Sequence, residues 1–374
     1  MSDEDLRDAA KANNTEFIVA LVAAGVPVNG QVSTRTPLHW AAREGCLAAC
    51  QCLLELQADI HAKDSQDDTP LTLACWKGHT TVAEYLLEHN ADLTATDNEG
   101  RTSLHLAVLD GYLDTCELLV SAGSVVNEPN KVGRTPLHIG TASRASERVS
   151  ERVSVLTCWR AAAGLRGRTE IAEFLLEQKA DVHRQNSNGN TPLNLAAWQG
   201  FSDCVRLLVA QNATADARDN EGRTAVVCMR VTTRTVTLAR CCSDAVLQQH
   251  LSALEGHADV IRLLVEQAHA DINARHLTGR TPLHIASLVG RLEACQALVE
   301  LKGEVQVRDH SQDSPLTLAC HNGHRPVVEF LLEQKADMSD RDSDHHTGLH
   351  MAGTRDTHQV RSRERERAPR IRIH

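Results

Sequence analysis

Aromatic side chains are scarce in this chain: four Trp, two Tyr and four Phe make up 3% of its 374 residues. That length could bury one large core or two ordinary ones. So few aromatics set against abundant Ala, Leu, His and Asn argue instead for small units repeated many times. Nowhere do 18 apolar residues run together, which excludes an apolar helical membrane span. The opening MSDEDLRDAAKANN is acidic and polar, without a charged-then-apolar leader, so a soluble, unexported protein is expected, cytoplasmic with nuclear as the other compartment. None of the twelve cysteines forms a CxxC pair that could clamp zinc, and in a chain this long they read as reduced intracellular thiols. Gly-rich phosphate loops, HExxH, GxSxG and kinase signatures are all missing, so neither catalysis nor a cofactor is expected. The formal net charge of −10 argues against a protein that coats nucleic acid or anionic membrane, and favours partners with basic patches.

What the chain has is a period. The proline of each TPL phrase falls at Pro37, Pro70 and Pro136, with Ser103 in the same register, so successive positions are 33 residues apart. The same step separates Pro192 from Ala225, and Pro282 from Pro315 and Gly348. Two steps are irregular, 136 to 192 and 225 to 282: each is one period plus 23 or 24 residues. Each unit reads as a turn with Gly or Asp, then TPLHxAA, a Gly-His-like pair, an apolar-periodic stretch and a polar tail.

Local chemistry predicts a helix pair per unit. Thr69 supplies a capping hydroxyl before Pro70, whose fixed φ and missing N–H suit a first helical turn. Gly78, like Gly45, Gly111, Gly200, Gly256, Gly290 and Gly323, stands where a left-handed residue ends that helix. A second helix is predicted over about Thr80 to His89, with Val82, Leu86 and Leu87 on one face. Helices this short cannot bury their faces alone, so stability must come from stacking on neighbours.

The stretch TPLTLACWKGHTTVAEYLLEHNADL, Thr69 to Leu93, and its recurrences resemble the ankyrin repeat family. That resemblance implies an all-α ankyrin repeat solenoid: helix-turn-helix units joined by β-hairpin-like loops. The domain reading is an N-terminal capping repeat over 1–34, repeats over 35–143, an irregular insertion at 144–166, and repeats over 167–225. A second insertion at 226–248, repeats over 249–352 with the last one truncated, and a basic disordered tail at 353–374 follow.

Twenty histidines invite a metal reading, but most fall at two repeat positions: His39, His105, His138, His284 and His350 in TPLH, and His79, His257 and His324 after the glycine. In the family the first of these hydrogen-bonds backbone near the inter-repeat loop. Thr72, Thr317 and Asn194 replace it in three repeats, which suits a hydrogen-bonding role and not a metal ligand. Cys50, Cys52, Cys116, Cys204 and Cys295 fall at apolar slots of second helices, and Cys75 and Cys320 at a small slot of first helices, as small hydrophobes. Cys158, Cys228, Cys241 and Cys242 fall in the irregular stretches, with no activating base nearby in sequence.

The family resemblance implies a non-catalytic scaffold or adaptor that binds a protein partner in a concave groove, as a monomer without metal or cofactor. Groove residues carry over position by position. Before each glycine stand Arg43 and Glu44, Trp76 and Lys77, Leu109 and Asp110, Trp198 and Gln199, Leu254 and Glu255, Leu288 and Val289, and His321 and Asn322. At loop tips stand Ser65, Gln66, Asp68, Asn98, Glu99, Arg101, Asn220, Glu221, Arg223, Leu277, Thr278 and Arg280. Trp76 and Trp198 are the expected anchors, because large outward aromatics dominate interface energetics, although each could instead pack along a neighbouring loop. Two other roles stay open: a substrate-targeting subunit of a ubiquitin ligase or phosphatase, and nucleic-acid association through the Arg-rich tail.

The irregular segments share a basic composition. Arg minus acid is 5 − 2, 3 − 1 and 7 − 3 for 144–166, 226–248 and 353–374, a total of +9, which leaves −19 for the rest of the chain. Removing Arg144 to Arg166 or Val226 to Gln248 restores a passable repeat, with Gly167 or Gly256 at the helix end. They read as docking loops with an import or RNA-contacting arm, as solvated extensions, or, the reading favoured by residues whose codons can contain GT at each start, as translated introns.

Overall fold

The computed structural model describes residues 2–141, 169–228, 258–341 and 346–347. The chain divides into two compact units, Met1–Pro192 and Leu193–His374.

In the first unit, helices come in antiparallel-style pairs, one short inner helix followed by one outer helix. The pairs are α1 (Asp3–Lys11) with α2 (Thr15–Ala23), α3 (Pro37–Glu44) with α4 (Leu47–Glu55), α5 (Pro70–Lys77) with α6 (Thr80–Glu88), and α7 (Ser103–Asp110) with α8 (Leu113–Ser121). A fifth pair consists of α9 (Pro136–Gly140) and α10, residues 169–177. Inner helices stack in a row, α3 between α1 and α5, then α7 and α9; outer helices stack likewise, α4 between α2 and α6, then α8.

The caps follow from the residues that flank each helix. Thr69 sits in extended conformation and its hydroxyl accepts from the Thr72 amide, while Pro70 takes the first helical position. Gly45 and Gly78 end their helices in the left-handed region at φ 77° and 72°. Gly45 is also required by packing: a Cβ there would lie 2.6 Å from Nδ1 of His79 on the next repeat. The glycine thus turns the chain and makes room for its neighbour's ring. On α6 the buried face is Val82, Ala83 and Leu86, whereas Leu87, expected there, is half-buried. Each fully buried Leu contributes about 1.5–3 kcal/mol of apolar transfer, and Leu38, Leu71, Leu104 and Leu137 recur at one inner-helix position with essentially no exposure.

Buried asparagine and aspartate side chains organise the loops. Asp64 Oδ1 accepts from the amides of Gln66 and Asp68, and Asp97 Oδ1 from those of Glu99 and Arg101. Asn130 and Asn186 repeat the motif with an amide oxygen. These are Asx turns that satisfy loop N–H groups locally. Successive loop tips then hydrogen-bond each other: Asn98 N donates to Gln66 O at 2.7 Å, Lys131 N to Glu99 O at 3.0 Å and Ser187 N to Val132 O at 3.1 Å. The first two rungs join residues 32 apart and the third joins residues 55 apart, an excess of 23.

The second unit opens in α11 (Pro192–Gln199) and continues through α12 (Ser202–Ala210), α13 (Ala225–Cys228) and α14, residues 258–266. Then come α15 (Pro282–Val289), α16 (Leu292–Glu300), α17 (Pro315–Asn322) and α18 (Arg325–Glu333). Four-residue α13 packs on α15, and α15 on α17. Its loop rungs are Leu277 N to Glu221 O at 3.2 Å, 56 residues apart, and His310 N to Thr278 O at 3.0 Å, 32 apart. Both units are all-α ankyrin-type stacks; among the described residues, β structure is limited to isolated bridges such as Thr96 with Thr102.

Candidate partner-binding face

The TPLH histidines are scaffold. His39, His105, His138 and His284 have no exposed surface. Nδ1 of His39 accepts from the Thr36 amide at 3.2 Å, so the ring proton lies on Nε2, which donates to Asp68 O in the next loop at 3.0 Å. His105 reaches Arg134 O at 3.0 Å, His138 reaches Asn190 O at 3.0 Å and His284 reaches Asp313 O at 3.1 Å. Burial holds His105, His138 and His284 down to about 4, because a charged ring would be desolvated. Where Thr replaces His the bond turns local: Thr72 Oγ1 donates to Thr69 O at 2.8 Å. Asn194 keeps a reach to the next loop, Nδ2 donating to Ala217 O at 3.2 Å. The post-glycine histidines also tie repeats together, His79 Nε2 with Arg43 O and His324 Nε2 with Leu288 O, both at 3.0 Å.

The cysteines are packed. Burial pushes the Cys50, Cys75 and Cys295 thiols up to about 12, so they are inert at neutral pH. Cys46 and Cys320 are half-buried. Among the described residues, no group of three or more His, Cys, Asp or Glu could hold a metal ion.

Two residues expected on the accessible face are core residues. Leu109, in the last turn of α7, is 5% exposed. Arg101 is 4% exposed, clamped by Asp97 with Nε 2.7 Å and Nη2 2.6 Å from Oδ2. Its burial follows from that carboxylate four residues back in its own loop. Arg223 does the same with Asp219 at 2.8 Å but stays half-exposed. Arg35 and Arg280 have Gln31 and His276 at the corresponding position, and each crosses to the next loop's carboxylate, Asp64 at 2.7 Å and Asp309 at 2.9 Å. Arginine placement thus follows the nearest available buried carboxylate.

The remaining expected residues divide by exposure. Glu44, Ser65, Gln66, Asn98, Glu99, Asn220, Glu221, Leu277, Thr278 and His321 are exposed. Arg43, Asp68, Trp76, Lys77, Asp110, Trp198, Gln199, Arg280, Leu288, Val289 and Asn322 are half-buried. Leu254, Glu255, His257 and His350 lie outside the described residues, as do Cys158, Cys241 and Cys242, the side chain of Cys228, and the tail 353–374. Lys77 Nζ stands 3.9 Å over the Trp76 ring. Asp68 is raised to about 6, chiefly by burial and further by the charges of Asp64 and Asp97.

The residue that sequence reasoning missed is Trp40. It occupies the register of Leu73 and Leu106, both buried, yet is half-buried itself. Lys11 Nζ lies 4.0 Å from its ring centroid, and the guanidinium carbons of Arg35 and Arg43 lie 5.4 Å away. The available signal was a Trp where six other described inner helices carry Leu or Ile: Leu73, Leu106, Ile139, Leu195, Ile285 and Leu318.

Three family models match the chain. "Ankyrin repeats (3 copies)" covers residues 6–97, 60–130 and 248–309; "Ankyrin repeats (many copies)" covers 158–209; and "Ankyrin repeat" covers 311–343. The second starts inside the segment 144–166 read as an insertion, while the match from 248 starts beside the expected resumption at 249. Similar curated proteins include the Caenorhabditis elegans "Ankyrin repeat and KH domain-containing protein mask-1", 28% identical over 170 residues, 46% of this chain and 6% of that protein. The human "Transient receptor potential cation channel subfamily A member 1" is 27% identical over 203 residues, 49% of this chain and 18% of the channel subunit. Mouse "Rabankyrin-5" is 27% identical over 168 residues, 44% of this chain and 12% of that protein. The chain therefore spans less than a fifth of each of these relatives. The matching models name a repeat and no catalytic family.

Proposed function

The chain belongs to the ankyrin repeat family, and from that premise we propose that it is a non-catalytic adaptor that holds a protein partner against its inner-helix ends and loop tips. One observation carries the reading. Scaffold positions repeat with the same bonds, whereas the second position before the cap glycine, read along the repeats, is Arg43, Trp76, Leu109, Trp198, Leu288 and His321. Stacking needs no such variety, and recognition does. The chain acts as a monomer in cytoplasm or nucleus, and its acidic body meets a basic patch on the partner. No helix among the described residues is long and apolar enough to cross a membrane.

Affinity capture with the wild-type chain and with Trp76→Ala and Trp198→Ala tests this. The expected result is a specific partner lost from the variants while their melting temperatures stay within a few degrees of wild type. A partner retained by both, or wholesale loss of folding, overturns the assignment of these two residues. A substrate-targeting role would add a ligase or phosphatase subunit to the captured complex. Binding that falls steeply with salt and disappears when residues 353–374 are removed would instead indicate nucleic acid.

A further inference from the structure

Lys11, Trp40 and Arg43 belong to the accessible side of the first two inner helices. Lys11 closes α1, Arg43 falls in the last turn of α3, and Trp40 lies one turn earlier on α3. Three cationic groups converge on one indole ring: Lys11 at 4.0 Å, Arg35 and Arg43 at 5.4 Å. The fold does not require this chemistry, because Leu73 and Leu106 fill the same register in the next two repeats and are buried.

Two donors in the cluster lack acceptors. Trp40 Nε1 and Arg43 Nε are sealed from water and neither has a hydrogen-bond partner within the described chain. A buried donor left without an acceptor costs about 1–3 kcal/mol, and native structures keep few of them. The positive charge is also incompletely answered. Arg35 is committed to Asp64 at 2.7 Å, with Asp68 4.0 Å beyond. Arg43 is answered by exposed Glu44, at 3.8 Å. The nearby carboxylate on α1, Asp8, is held by Arg7 at 2.7 Å.

We infer that this cluster is a receptor for an acidic peptide segment, whose carboxylates pair with Lys11 and Arg43. The inference rests on the binding face proposed above and names the chemistry of one end of it. Carboxylates suit the site for two reasons. Guanidinium and ammonium groups donate strong charge-assisted bonds to them, and cations already stacked on the indole are held in place by its π face. A nucleic acid is the poorer occupant: the indole is already taken up by cations and is not free to stack a base. Lys77 over Trp76 repeats the cation-on-indole arrangement on the next inner helix.

The probe is a fluorescein-labelled hexaglutamate peptide, read by fluorescence anisotropy on the full chain at low salt, with hexalysine and a single-stranded oligonucleotide as controls. Saturable binding of hexaglutamate is expected, weakened about tenfold or more in Lys11→Gln/Arg43→Gln by loss of two charge-assisted contacts. Trp40→Leu installs the aliphatic residue of the neighbouring repeats, so it keeps the fold, by circular dichroism and melting, and loses the peptide. Absence of hexaglutamate binding to wild type, equal binding to the double variant, or oligonucleotide binding as strong as hexaglutamate at the same residues each overturns the inference. A captured protein partner that depends on Trp76 and Trp198 but is indifferent to Lys11→Gln/Arg43→Gln overturns it while leaving the adaptor reading standing. Hexaglutamate binding without any partner lost from the Trp76 and Trp198 variants does the reverse.

Discussion

The repeat that begins at Thr69 and the one that begins at Thr135 share their opening and differ in how the inner helix ends. In the first, Pro70–Lys77 runs for eight residues into a left-handed Gly78. In the second, Pro136–Gly140 stops after five, and Thr141 caps it in right-handed conformation with its hydroxyl bonded to Leu137 O at 3.0 Å. Yet the half before the stop is packed like its counterpart: Leu137 and His138 have no exposed surface, Ile139 is 2% exposed, and His138 still reaches the next loop. The outer helix that follows, residues 169–177, buries Ile171, Ala172 and Leu175 as α6 buries Val82, Ala83 and Leu86. Across the gap, Val132 and Ser187 make the same loop rung as Glu99 and Lys131. A repeat stack is therefore specified at its interfaces: the first inner turn, the outer face and the loop tip.

The largest effect should come from the shared core position. Leu104→Ala in an uninterrupted repeat and Leu137→Ala in the interrupted one should each cost about 3–5 kcal/mol, because both leave a cavity in a fully buried site. Urea unfolding of the two variants checks this. A much smaller loss for Leu137→Ala would mean that the interrupted repeat is not packed as its neighbours are.

Next in size is repair of the difference. Deleting residues 144–166 brings Gly167 to the cap position and should raise stability by about 1–3 kcal/mol, combining recovered helix with the shorter closure. A lower urea midpoint in the deletion chain would show that the segment contributes to the fold.

Acid should act alike on the interrupted repeat and on the uninterrupted one that begins at Thr102. His105 and His138 are held down to about 4 by burial, below the ordinary value of 6.5. Between those values the unfolded chain takes up protons that the folded chain refuses, so their contribution is present above about pH 6.5 and lost as pH falls toward 4. His105→Gln and His138→Gln should each flatten that pH dependence by about 2 kcal/mol over the window. Melting temperatures measured from pH 7.5 to 4 would show one slope unchanged if that ring makes no difference.

The smallest effect has the opposite sign. Asp68 titrates near 6 in the folded chain, above its ordinary 3.8, so its contribution is present in acid and lost as pH rises through about 6. Asp68→Asn should stabilise the uninterrupted repeat by about 1 kcal/mol at pH 7 and have little effect at pH 4. Equal shifts at both pH values in a melting series would refute the assignment.

Much of the scaffold was legible because its signals are local. Thr69 before Pro70, the left-handed glycines and the buried slots of Cys50 and Cys116 each follow from residues within one turn of each other. The binding face was read less well. Arg101 stands at a loop tip in sequence but is drawn inward by Asp97, and Leu109, two residues before its cap glycine, is buried. Trp40 was not singled out in sequence; of the three cations about its ring, Lys11 comes from α1, a different repeat.

By itself the sequence determined the period, the helix caps, the histidine tethers and the family, since each rests on residue chemistry recurring at fixed spacing. Tertiary structure decided which arginines cross to the next loop, whether an interrupted helix keeps its place in the stack, and where donors are left without acceptors. The physical reason is that neither helix of a repeat can bury its own faces: the surfaces that settle those questions exist only once a neighbouring repeat has docked.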